Sequence, residues 1–265
     1  MIHDDAYAAG MAQSYDAEYQ VIRDPSGDRA FYADLARASG GPVLELGCGT
    51  GRILLPIARE GIPCVGLDQS AGMLAVLREK HPPENLEIVQ GSMVDFDLGD
   101  RRFPLIFIAF RGFLHLCTVE EQLACLACVR RHLAPGGVLA MDMFVPDLAR
   151  TAQAEEPEQQ DAKAMDGEVE VRRFASVSRD HVTQVMKVRY RHERWLGGTK
   201  LAEESTVLAL RWMYPYELLH LLARAGFTVT AVHGGFDRRP FDAKKEMIVL
   251  AEARIHRGAH AYEHR

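Results

Sequence analysis

Three glycines at alternate positions, Gly47, Gly49 and Gly51, separate an apolar run from an amphipathic one, and this is the strongest chemical signal in the 265-residue chain. Lacking Cβ atoms, such a loop can press its N–H groups and the start of the following helix against a polar ligand. Glu45 stands two residues before the loop, Cys48 lies within it and Arg52 follows it. Asp68 comes at the end of a second apolar run, residues 64–67, where a carboxylate can accept hydrogen bonds from both hydroxyls of a ribose. The other reactive side chain is His115, shortly after the apolar run 105–109 and the pair Phe110-Arg111. A histidine among apolar neighbours, here Phe113, Leu114 and Leu116, favours the neutral ring and can take a proton near pH 7. The alternative is a histidine that packs near a helix start. Arg111 is free to pair with a cofactor, with a substrate carboxylate or with a surface acid.

Positioning these groups requires strands that end where the loops begin. Residues 42–46 form a short, buried, parallel-type strand bounded by Gly40-Gly41 and Gly47, and Ile53, Leu54, Ile57 and Ala58 recur at helical spacing after the loop. Further strands are predicted over 64–67, 86–89 and 105–109, and the segment 133–142 reads as a helix end, a turn and a fifth strand. The intervening helices span 71–80, with Met73, Leu74 and Leu77 on one face, and 120–133. In an open α/β sheet, ligands sit beyond the carboxyl ends of the strands, so the glycine loop, Asp68 and His115 face one crevice.

The sequence Glu45-Leu46-Gly47-Cys48-Gly49-Thr50-Gly51 followed by Asp68-Gln69-Ser70 resembles the motifs of the class I S-adenosylmethionine (SAM) dependent methyltransferases. The dinucleotide fingerprint would read G-x-G-x-x-G; here the third glycine comes one residue early, which disfavours an NAD-dependent oxidoreductase. The resemblance implies a Rossmann-like α/β fold: a seven-stranded sheet with the last strand antiparallel, helices on both faces and an antiparallel β lid insertion. It implies SAM as cofactor and S-adenosylhomocysteine as product, with Glu45, Gly47, Cys48, Gly49, Gly51, Arg52, Asp68, Gln69, Met73 and Phe110 around the cofactor. The segment Gly91-Ser92-Met93 looks like the family's adenine-binding turn, with Ser92 where aspartate is common. N-terminal helices that fold over the cofactor make Tyr7 and Tyr15 candidates for the site; elsewhere such aromatics are core. His115 and the lid strands look most like bacterial small-molecule enzymes, among them the amino-sugar N,N-dimethyltransferases, in which a histidine at this place lies near the acceptor amine. The implied function is methyl transfer to an N or O atom of a small molecule. The alternatives are an oxidoreductase on the same fold and a non-catalytic SAM-binding protein.

The implied division is N-terminal helices over 1–40, a SAM-binding core over 41–147, a linker and lid over 148–213, the rest of the core over 214–254 and a tail over 255–265. Residues 152–167, rich in Glu, Gln, Asp and Ala, read as an exposed linker or poorly ordered loop, followed by three strand-like runs at 169–178, 182–195 and 204–213, the first two joined by a turn at 178–181. Met186, Val188 and Tyr190 alternate with Lys187, Arg189 and Arg191, either a solvated face or an anion-binding row. Lys and Arg total 31 against 37 Asp and Glu, a net charge of -6, which offers no broad positive field for nucleic acid. No apolar run reaches membrane-spanning length and no export signal is apparent, so the expectation is a cytoplasmic enzyme whose five cysteines are reduced; a homodimer stays open. Cys125-x-x-Cys128 lies within a helical pattern without a second ligand pair and reads as helix packing, with no metal implied.

Overall fold

The structure, a computed structural model, describes residues 15–16 and 27–254. Tyr7 and the tail from Ile255 onward therefore lie outside the described residues. Its main sheet has seven strands in the order β10-β11-β5-β4-β1-β2-β3. The centre is β1 (Val43–Leu46), parallel to β2 (Cys64–Asp68) on one side and to β4 (Phe103–Ile108) on the other. Chain order thus reverses direction across β1, which opens a crevice at the carboxyl ends of β1 and β4. Beyond β2 lies β3 (Leu86–Gln90), and beyond β4 lies β5 (Leu133–Phe144), both parallel to their neighbours. The last strand, β11 (Glu246–Ala253), runs antiparallel both to β5 and to β10 (Phe227–His233), so it alone is reversed in the sheet.

Period-two alternation sends each strand's side chains to two separate cores. Val43 of β1 and Leu105 and Phe107 of β4 pack with α1 (Asp28–Ser39), α2 (Leu54–Arg59) and α3 (Ala71–Glu79). Leu44, Leu46, Ile106 and Ile108 turn the other way, onto α4 (Val119–His132) and α6 (Pro215–Arg224). Between these last two helices in chain order comes the single turn α5 (Leu148–Thr151). Cys125 and Cys128 of α4 are buried in that second core, packed as helix residues. His132 beside them accepts the Leu98 N–H at Nε2 (3.0 Å), which leaves Nδ1 as the protonated nitrogen donating to the Cys128 carbonyl (2.9 Å). Among the described residues no group of three or more His, Cys, Asp or Glu could hold a metal ion, and no helix is long and apolar enough to cross a membrane.

The second sheet corrects the expectation for 152–167. Instead of a linker, residues Glu155–Asp166 form β6, the edge of a four-stranded antiparallel sheet with β7 (Val169–Asp180), β8 (Val185–Leu196) and β9 (Thr199–Arg211). Its acids belong there because arginines on the neighbouring elements meet them. Arg173 forks onto Asp161 (3.0 and 2.9 Å), Arg191 reaches Glu158 (2.8 Å) and Arg194 reaches Asp166 (2.8 Å). Glu156, held by Arg150 and Arg179, has its carboxyl pulled down to about 2 and stays ionised. A charged edge with Pro157 at a break in register also resists pairing with another sheet. The turn between β7 and β8 falls at 181–184 rather than 178–181, because the Asp180 carboxylate accepts the N–H groups of Val182 (2.9 Å) and Thr183 (3.3 Å). Of the basic row on β8, Lys187 and Arg189 are exposed, whereas Arg191 is committed to Glu158 and Glu193.

Candidate active site

The glycine loop is fixed to β2 by its own backbone. Gly47 and Cys48 both donate N–H bonds to the Leu67 carbonyl (2.7 and 3.1 Å), and Gly51 donates to the Cys48 carbonyl (2.9 Å). All three glycines are left-handed, with φ of 73°, 53° and 77° at Gly47, Gly49 and Gly51. Their reasons differ. A Cβ on Gly51 would come within 2.4 Å of Leu77 on α3, so this glycine lets helix and loop pack, whereas a Cβ on Gly49 would project into open space, on a side where a ligand can approach. Gly51→Ala is expected to lower stability by about 1–3 kcal/mol from backbone strain and overpacking together, measured as a fall in the urea midpoint at unchanged slope.

Asp68 bridges the loop to the next helix. One carboxylate oxygen accepts the Gly49 N–H (2.8 Å) and the other the Ser70 N–H (2.8 Å). Burial pushes its pKa up, and these amides with that of Gln69 pull against the rise. A carboxylate offers about four acceptor positions, so lone pairs remain for hydroxyl donors. Glu45 is 2% exposed, and its Oε2 has no hydrogen-bond partner among the described residues. Burial raises its carboxyl well above the usual range, opposed chiefly by Arg52. An orphaned buried acceptor, an open glycine face and a ribose-type carboxylate at one strand edge fit an adenosyl cofactor bearing an amino acid tail. Cys48 can serve through its main chain, since its thiol is buried against Gly66, a strand glycine whose Cβ would lie 2.9 Å from that sulfur.

Arg52 is already occupied. Its guanidinium forks onto Asp28 of α1 (3.1 and 2.6 Å), both side chains are buried, and its Cζ lies 5.3 Å from the centre of the Phe110 ring. Asp16 accepts from the Thr50 hydroxyl (2.6 Å) and pairs with Lys80, which donates to the Thr50 carbonyl (2.7 Å). The short described segment at 15–16 therefore lies on the glycine loop, and Tyr15, half-buried, interacts electrostatically with Arg52. On the far side of the loop the Met93 methyl stands 3.5 Å from where a Gly47 Cβ would be, and the Ser92 hydroxyl accepts the Val94 N–H (3.4 Å). Gln69 is exposed; Met73 is buried on α3, with its N–H given to the Ser70 hydroxyl cap (3.3 Å).

After β4 the chain turns through two consecutive left-handed residues, Phe110 (φ 54°) and Arg111 (φ 63°), into a 3-10 turn, Gly112–His115. Phe113 and Leu114 anchor this turn in the core, and His115 at its end is half-buried. Arg111 points to Glu246 on β11 (3.2 Å) and stacks on Phe144, which makes its partner a half-buried acid of the neighbouring strand rather than a surface one. Asp142 of β5, fully buried, accepts both the Phe110 N–H (2.7 Å) and the Tyr32 hydroxyl (2.8 Å). Asp28, Tyr32 and Asp142 were not legible as site residues. The available signal was the four-residue spacing of Asp28 and Tyr32, which puts both on one face of α1.

An open groove of about 530 Å³ lies apart from these residues, at the root of the second sheet. Thr151, His181, Gln184, Trp212 and Tyr214 line it. Beside it, Arg211 at the end of β9 reaches Gln122 (3.3 Å), whose amide donates to the Leu116 carbonyl (2.9 Å) directly after His115.

The sheet order, the glycine loop and the carboxylate at the end of β2 match the pattern of SAM-dependent methyltransferases, and residues 43–137 match the family model described as a methyltransferase domain. The chain is a SAM-dependent methyltransferase. It is 26% identical over 246 residues to the cypemycin N-terminal methyltransferase of a Streptomyces species, covering 91% of this chain and 94% of that protein. To the dTDP-3-amino-3,4,6-trideoxy-alpha-D-glucopyranose N,N-dimethyltransferase of Streptomyces venezuelae it is 34% identical over 140 residues, which span 51% of this chain and 58% of that enzyme. Among solved structures, a SAM-bound amino pentose methyltransferase from Micromonospora echinaspora superimposes with a TM-score of 0.68 at 26% identity, over 89% of this chain and 95% of that one.

Proposed function

We propose that the enzyme methylates the nitrogen of a small-molecule amine. One observation carries this reading: the relative similar along nearly the whole chain is named as an N-terminal methyltransferase, and two others are named for amino sugars, against a demethylmenaquinone methyltransferase matched at the cofactor half. The reading assigns Gly47, Gly49, Gly51 and Cys48 to the cofactor through their backbone, Asp68 to the ribose, Glu45 to the polar end of the amino acid tail, with Arg52 kept on Asp28 behind the loop, and Ser92, Met93, Gln69, Met73 and Phe110 to the surrounding walls. Bound there, SAM supplies an activated methyl on a sulfonium, which passes to a nucleophile as the thioether product leaves. The residues of the chain then have two tasks, to hold the acceptor nitrogen in line and to exclude water. His115, at the crevice end of β4, takes the proton that the acceptor nitrogen must lose, with Tyr15 as a further candidate beside it. The five unpaired cysteines suit a reducing cytoplasm.

The four-stranded sheet acts in this reading as a lid over the acceptor. Its support is the link from Arg211 at the end of β9 through Gln122 to the Leu116 carbonyl, directly after His115. Excising residues 155–209 is expected to abolish transfer with SAM binding largely intact. Calorimetry with SAM and a turnover assay separate the two effects; loss of SAM binding in the folded, shortened protein would place the lid within the cofactor site instead. The acceptor class is tested by screening primary and secondary amines, amino sugars and N-terminal peptides among them, for S-adenosylhomocysteine release. Turnover with hydroxyl acceptors alone would overturn it.

A further inference from the structure

Asp142 and Tyr32 are both fully buried, come from elements 110 residues apart in the chain, and meet at one carboxylate oxygen that also holds the backbone of Phe110. That backbone needs holding. Phe110 and Arg111 are non-glycine residues in the left-handed region, a conformation that persists only where surrounding bonds over-determine it. The Phe110 ring in turn faces the Arg52 guanidinium, which is forked onto Asp28. Asp28 and Tyr32 lie four residues apart on α1, so the contacts close into a circuit: from α1 to the glycine loop through Asp28 and Arg52, across to the β4 exit through Phe110, and back to α1 through Asp142 and Tyr32.

We propose that Tyr32 and Asp142 are positioning residues of the methyltransferase site, which brace the left-handed Phe110 turn against Arg52 and so set the glycine loop and the β4 exit in one geometry. The proposal rests on the assignment of the glycine loop to SAM. It goes beyond that assignment in coupling two segments of the site through a buried pair. The Tyr32 hydroxyl is well suited to donate, since burial and the adjoining Asp142 raise its pKa far above the usual phenol value and keep it protonated. Its ring is held independently, stacked on Phe107 at 4.9 Å and edge-on to Phe31 at 5.4 Å, so removal of the hydroxyl leaves the packing in place.

Tyr32→Phe in the full chain is the test, with Asp142→Asn as a second variant of unchanged shape. Hydrogen exchange of the ligand-free protein is expected to quicken about tenfold in two separated peptides, 46–53 and 109–116, with α4 and the strands of the second sheet unchanged. SAM affinity by calorimetry is expected to fall about tenfold, and Tyr32→Phe combined with Arg52→Lys to lose clearly less than the product of the single losses. A response confined to 109–116, a uniform loss of protection across the whole protein, or multiplicative losses in SAM affinity would each overturn the brace. If the wild-type protein binds no SAM, the cofactor assignment fails, while the exchange pattern still decides whether the circuit exists.

Discussion

With His115 replaced by glutamine, methyl transfer to the amine found in the acceptor screen is expected to slow by roughly 10²-fold while SAM affinity stays within about twofold. The residue stands at the end of the 3-10 turn that follows β4. Glutamine keeps a hydrogen-bonding group of similar reach but cannot accept a proton at neutral pH. The size of the loss therefore measures base catalysis rather than packing. The pH profile sharpens the point: the wild-type rate should fall as pH drops through the histidine range and the ring becomes charged, and the variant should lose that limb. A glutamine variant with wild-type turnover at every pH would assign His115 to structure, in keeping with the buried Phe113 and Leu114 that anchor its turn.

Asp68→Ala is expected to weaken SAM binding by about 1–3 kcal/mol, read by calorimetry, with a smaller fall in stability. Under the proposed ribose assignment the substitution removes the charged acceptor for the hydroxyls, and it also releases the Gly49 and Ser70 N–H groups that the carboxylate holds at 2.8 Å each. Asp68→Asn separates these contributions. Its amide oxygen can keep one backbone bond, so the loop should survive better than in the alanine variant, while the charge-assisted part of the ribose bonding is lost in both. Unchanged affinity in both variants would remove Asp68 from the ribose assignment.

The fold was legible where burial is a property of single residues. The apolar runs that became β1, β2 and β4 are bounded by glycines or polar turns, and the sheet uses them within one or two residues of where periodicity puts them. The glycine loop and Asp68 were legible because their chemistry depends on spacing along the chain. What escaped depends on partners far apart. β6 reads as a solvated linker until Arg173 and Arg191, 12 and 33 residues from the acids they meet, neutralise its carboxylates across the sheet. Asp28 and Arg52 are 24 residues apart and Tyr32 and Asp142 are 110 apart, so their pairing is a consequence of topology that no local pattern records. Arg111 illustrates the converse. Its place beside the crevice suited a ligand contact as well as any other, and the antiparallel β11, which brings Glu246 opposite Phe144, decides its partner.

On the proposed function, this crevice moves a methyl group from SAM to an amine. Incubation of the purified protein with methyl-labelled SAM and a panel of amines, hydroxy compounds and carboxylic acids, followed by mass spectrometry and product NMR, tests it most directly. Label is expected on nitrogen in at least one amine, with S-adenosylhomocysteine formed in equal amount and both lost together in Asp68→Ala at low SAM concentration. SAM binding without transfer to any amine, or label found only on oxygen or carbon, would contradict it.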